Sequence, residues 1–134
     1  MDLFTIPFFH VLRTRLSFLE ARNQTLAENI ANADTPRFKP HDLKKIDFAH
    51  LLADAQEGVS LRVTDPQHFG GTTAPNTGPF KSVEAPDREA TPDGNAVVLE
   101  DQMIKLAETQ MAHETAISLY RKGLEMLRLA VRGG

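Results

Sequence analysis

In residues 9–33, FHVLRTRLSFLEARNQTLAENIANA, apolar side chains recur at Phe9, Leu12, Leu16, Leu19, Leu26, Ile30 and Ala33, with Asn23 the polar member of the series. The steps alternate between three and four, the heptad spacing that lines one side of a helix and calls for a partner helix. Thr5 suits an N-cap, and Pro7 falls in the first turn, where proline is tolerated. The Thr35-Pro36 step predicts the stop, because a residue before proline is pushed out of the helical region. At about 1.5 Å per residue such a helix spans roughly 40 Å, more than a small globule needs.

A second seam follows the same spacing at Leu99, Met103, Leu106, Gln110, His113, Ile117, Tyr120, Leu124, Leu127 and Val131. Asp93-Gly94-Asn95 reads as its turn and cap. Glu100 and Asp101 near the start and Arg128 and Arg132 near the end suit the helix macrodipole, and Gly133-Gly134 ends it. Two seams predict a mainly α chain whose long N- and C-terminal helices form an antiparallel coiled-coil hairpin. The residues expected to carry helix pairing and assembly are Phe9, Leu12, Leu16, Leu19, Asn23, Leu26 and Ile30, with Leu106, Gln110, Ile117, Tyr120, Leu124, Leu127 and Val131. Asn23 and Gln110 either set register and partner number or lie at a solvated edge. Leu119, Met126, Leu129 and Ala130 lie off the seam, and one antiparallel partner does not cover them, so further neighbours are expected.

Composition supports this division. Leu, Ile, Val, Phe and Met number 13 in residues 1–35, 12 in residues 36–94 and 14 in residues 95–134. Seven of eight prolines and five of eight glycines fall in the middle segment. One domain is expected over residues 1–134, made of an N-terminal helix (1–35), an irregular middle (36–94) and a C-terminal helix (95–134). In the middle, Asp47 caps a short helix from Phe48 to about Glu57 with Gly58 as its stop. Val59 to Val63 alternates like a strand, and Phe80 to Ala85 reads as another. So long a connection is either a small irregular subdomain or a loop ordered by partners.

A net charge of −3 gives no basic excess for binding nucleic acid. No apolar run approaches the ~20 residues that cross a bilayer, and Met1 to Phe9 lacks the basic start and cleavage site of a secretory signal. Phe4, Phe8 and Phe9 read as core or interface anchors. Without a Lys or Arg before Arg13 they make a poor membrane wedge, and no direct membrane insertion is expected. With no cysteine, disulfides and thiolate chemistry are excluded. The histidines are scattered: Asp47 and His50 form an ordinary i,i+3 pair, His68 stands alone, and His113 suits a hydrogen bond at a helix interface. Gly70-Gly71 is a turn. No catalytic, cofactor or metal site is expected, and the chain does not read as an enzyme.

The stretch Leu26-Ala27-Glu28-Asn29-Ile30-Ala31-Asn32-Ala33-Asp34-Thr35-Pro36-Arg37-Phe38-Lys39 resembles the N-terminal signature of bacterial flagellar axial proteins, the rod and hook family. Its core, Asn-Ile-Ala-Asn-x-x-Thr-Pro, is matched by Asn29, Ile30, Ala31, Asn32, Thr35 and Pro36. Where the family continues with glycine and tyrosine, this chain has Arg37 and Phe38, and arginine disfavours a left-handed turn there. Asp47-Phe48, Thr64 to His68, and Asp93-Gly94-Asn95 leading into Met103, Lys105 to Glu108 and Gln110 resemble the short proximal-rod members. The resemblance implies a structural subunit, exported through the flagellar type III apparatus and assembled into the periplasmic rod that transmits torque. Implied partners are other rod subunits, copies of itself, the basal-body junction protein and membrane-ring or export-gate components. A cytoplasmic export chaperone or adaptor presenting a coiled-coil groove is the alternative.

Overall fold

The structure is a computed structural model and describes residues 7–56 and 79–133. Its elements in chain order are α1 (Pro7–Ala31), β1 (His41–Leu43), α2 (Phe48–Gln56), β2 (Ser82–Glu84) and α3 (Leu99–Arg132). Pro7 opens α1, where its missing N–H is one that no helical carbonyl would have received. The two long helices run antiparallel. Phe9, near the start of α1, meets the edge of Tyr120 with ring centroids 5.2 Å apart, while Asn29, near its end, bonds to Gln102.

A second layer covers one side of α1. Phe18 meets Phe48 of α2 and Phe80, just before β2, both edge-on at 5.6 and 5.4 Å. Phe18, Leu19, Leu43 and Ala116 form the core, with Leu16, Ala21, Ile46, Phe48, Phe80 and Ala112 packed around it. Burying a side chain of Phe or Leu size contributes roughly 1.5–3 kcal/mol. Asp47 caps α2, its Oδ1 accepting the His50 N–H at 3.0 Å. The strands pair antiparallel with His41 opposite Glu84 and Leu43 opposite Ser82. Arg22 on α1 grips Asp42 with two bonds of 2.9 Å, which ties this small sheet to the long helix.

Two boundaries and one short strand differ from the sequence expectation. α1 ends at Ala31, short of Thr35-Pro36, because Asn32 pulls the backbone into tighter turns. Its Nδ2 donates to the Glu28 carbonyl at 2.8 Å, and the next bonds close after three residues, Ala33 N to Ile30 O and Thr35 N to Asn32 O. α3 begins at Leu99 because Asn95 is buried in contact with the end of α1. β1 is too short to leave a periodic signal, whereas β2 lies inside the expected Phe80 to Ala85 strand. The Thr5 cap, Phe4, Gly58, the Val59 to Val63 strand, the Thr64 to His68 match and the Gly70-Gly71 turn fall outside the described residues.

The chain leaves α1 and enters α3 at one crossing. Arg37 has φ 61° and Gly94 has φ 86°, so the left-handed turn persists despite the arginine. The Arg37 N–H donates to Asp93 O at 2.9 Å and Ala96 N–H to Phe38 O at 3.0 Å, and this pairing holds the strained residue. A Cβ added to Gly94 would lie 3.0 Å from the Arg37 Cα, so both conformation and space demand glycine there. Urea unfolding followed by circular dichroism should move in opposite directions for two variants. Gly94→Ala is expected to lose at least ~1 kcal/mol, and Arg37→Gly to gain up to ~1 kcal/mol by relieving left-handed strain.

Candidate assembly interface

The face of α3 that meets α1 is built on small and polar residues. Gln102, Thr109 and Ala116 are each about 1% exposed, and Gly123, seven residues further on, lies under Phe9. One seam line, Leu106, His113, Tyr120 and Leu127, flanks this row and is half-buried. The other line sits one residue beyond the buried row, about 100° further round the helix. There Ile117 and Leu124 are half-buried, but Gln110 is exposed, Met103 is 56% exposed and Val131 80% exposed. Gln110 and Val131 therefore face solvent in the single chain. Thr109, Ala116 and Gly123 let the helix backbones approach, which leaves the larger side chains at the rim. Their seven-residue recurrence was present in the sequence, but an apolar count passes over it.

On α1, Phe9, Leu12, Leu19 and Leu26 are buried, and Leu16, Asn23 and Ile30 are half-buried. Val11, Phe18, Thr25 and Asn29 are buried as well, because α2 and β1 cover a second side of this helix. Asn23 places its Oδ1 in a buried position with no hydrogen-bond partner among the described residues. An open apolar groove of about 540 Å³ runs between the helices, bounded by Phe8, Leu12, Phe48, Leu52, Ala112 and Leu119. On the outer side of α3, Ile104, Met111, Met126 and Leu129 are 58–69% exposed, and Leu119 at the groove's edge is 49% exposed. These large apolar side chains stay open to solvent in the single chain.

The signature residues form the bundle's polar end. Asn29 Nδ2 donates to His41 O at 2.7 Å and to Gln102 Oε1 at 2.8 Å, and its Oδ1 accepts the His41 N–H at 3.0 Å. One side chain thus covers the outer edge of β1 and reaches α3. Thr35 Oγ1 donates to Asn32 Oδ1 at 3.0 Å, while Asn95 Nδ2 donates to the carbonyls of Asn32 and Thr35 at 3.0 and 2.7 Å. Ile30 is half-buried; Ala31 and Pro36 are exposed.

Asp87 completes the network, and its importance had no sequence signal, since it lies in an irregular loop far from its partners. Its Oδ2 accepts from the Val98 N–H at 3.0 Å and Gln102 Nε2 at 2.7 Å, and its Oδ1 from Lys105 Nζ at 2.7 Å. Val98, the α3 N-cap residue, offers no side-chain cap, so Asp87 supplies negative charge at that helix end from a distance. Burial pushes the carboxyl pKa up, but bonds from Gln102, Lys105 and the Val98 N–H, with the Lys105 charge, outweigh it and hold it below the ordinary 3.8. A lowered folded-state pKa means that the stabilisation is complete above about pH 5 and is lost as pH falls through 3.8 and below. Asp87→Asn is expected to cost ~1–3 kcal/mol at pH 7. Acid titration of stability should then be shallower in the variant than in the parent below pH 3.8.

Among the described residues no cluster of His, Asp and Glu could hold a metal ion, and no helix is long and apolar enough to cross a membrane. Residues 9–39 match the family model described as flagella basal body rod protein. The chain is 34% identical over 116 residues to flagellar basal body rod protein FlgB of Cereibacter sphaeroides (strain ATCC 17029 / ATH 2.4.9), covering 85% of each chain. It is 30% identical over 128 residues to FlgB of Aeromonas hydrophila, covering 93% of this chain and 92% of that one. With FlgB of Bacillus subtilis (strain 168) the identity is 25% over 123 residues, 92% of each. The matched segment contains α1 from Phe9 onward, Asn29, Asn32 and the Arg37 crossing, and with relatives aligned over most of its length the chain belongs to the FlgB family of flagellar basal body rod proteins.

Proposed function

We propose that this chain is a structural subunit of the bacterial flagellar basal-body rod, in its proximal part, and that it assembles through its two terminal helices. The observation that carries this reading is the exposed apolar stripe on α3, from Ile104 through Met111 to Leu129, in a chain whose relatives are rod proteins. Torque would be resisted by many interlocked helix contacts, each modest, with no single strong bond.

The partners this reading calls for are copies of the chain and other rod subunits, with the junction protein and the ring or export-gate components at the rod base. The location is the periplasmic rod, reached through the flagellar type III apparatus. The residues that would bear on neighbours are the rim of the α1–α3 pair, with Asn23, Gln110, Leu124 and Val131, together with the outer stripe. The chaperone or adaptor alternative gains no support from the relatives, which are rod proteins by name.

Met111→Glu/Met126→Glu tests the stripe without touching the pairing face. Circular dichroism of the purified variant should match the parent. Motility in soft agar should fall, and the subunit should be missing from isolated basal bodies, since a charge in a buried interface costs on the order of 2 kcal/mol or more per site. Normal motility with normal incorporation would overturn the proposal.

A further inference from the structure

The apolar seams of α1 and α3 repeat every seven residues, so sliding one helix past the other by a heptad would again set apolar side chains against apolar side chains. The observed register is defined at two levels. Phe9 lies over Gly123, and Asn29 bonds to Gln102. A slip of seven residues would bring Phe9 level with Ala116 and Asn29 level with Asn95, or Phe9 level with Ala130 and Asn29 level with Thr109. A Cβ at position 123 would already lie 3.1 Å from the Phe9 ring, so alanine under that ring crowds it. At the other end Asn29 and Gln102 would be carried apart, and Gln102 Oε1 would lose the Asn29 N–H that it accepts in the interface; a buried acceptor stripped of its donor is costly.

Asn95, bonded to the Asn32 and Thr35 carbonyls, ties the segment before α3 to the end of α1, whereas the buried threonines within the helix pair carry no such information. Thr25 and Thr109 donate to carbonyls of their own helices, Ala21 O at 3.0 Å and Lys105 O at 2.7 Å, and would do so in any register. Asn29 and Gln102 are satisfied across the interface, and each is also tied to a fixed partner: Asn29 to the His41 backbone, Gln102 to Asp87. We infer that Asn29–Gln102, with the Phe9–Gly123 contact, is a two-point lock that sets the axial register of the α1–α3 hairpin. Register rather than stability is what the buried amide pair supplies. This inference goes beyond the rod assignment and stands independently of it, since it concerns a single chain.

The cysteine-free sequence allows a direct reading. Spin labels on cysteines placed at Glu20 and Glu125, both exposed, report the axial offset of the helices through the electron–electron distance in the full chain. A one-heptad slip changes that offset by about 10 Å. The parent sequence should give one distance, whereas Asn29→Leu/Gln102→Leu should keep its helicity by circular dichroism and give a second, displaced population. Gln102→Met, which leaves Asn29 on His41, should show the same second population at lower weight, and it carries the reading if the doubly apolar chain loses its helix. A single, parental distance in a helical variant would overturn the proposal.

Discussion

Everything in this molecule depends on how closely α1 approaches α3. The row Gln102, Thr109, Ala116 and Gly123 shrinks toward the C-terminal end and gives α1 a shallow channel, into which Phe9 fits at the glycine. Because small residues occupy that channel, the bulk of the α3 apolar surface is displaced to the rim and the outer side. A helix pair with its large side chains at the contact would have hidden them and finished its own core. Here close contact within the chain leaves broad apolar surface outside it, which is what the proposed assembly would cover.

The second layer serves the same contact from the other side. Phe18, the residue with aromatic partners on both α2 and the β2 side, sits midway along α1. It accounts for a helix buried on two faces, where a hairpin alone would bury one. The Asn29 side chain stands in for a strand at the edge of β1 and makes the sheet edge, α1 and α3 a single hydrogen-bonded unit. Asp87 extends that unit to the start of α3. The signature thus marks the place where the helix ends, the sheet begins and the return helix is anchored.

Much of the fold was legible in the sequence because heptad spacing is a long, redundant signal. Phe9, Leu12, Leu19 and Leu26 are buried, and Leu106, Tyr120 and Leu127 flank the contact. What escaped is equally physical. The seam on α3 was read from apolar size, so Met103, Gln110 and Val131 were favoured over Gln102, Thr109, Ala116 and Gly123, where closeness outweighs bulk. Asn23 and Gln110 stood out as polar residues in an apolar register, yet the amides that bond across the interface are Asn29 and Gln102. Arg37 keeps a left-handed turn because tertiary bonds to Asp93 override its own preference. Asp87 had no pattern at all, since a carboxylate that caps a helix from a distant loop leaves no local spacing to read.

On the proposed assembly, the outer surface of α3 is free in the isolated subunit and covered in the assembled rod. Methionine oxidation reads this directly, since Met103, Met111 and Met126 are 56%, 69% and 59% exposed in the single chain. Limited peroxide treatment followed by peptide mass spectrometry, applied to the isolated subunit and to purified basal bodies, compares the two states residue by residue. The account predicts ready oxidation of Met111 and Met126 in the isolated subunit and strong protection of both in the basal body. Equal oxidation in the two states would contradict it.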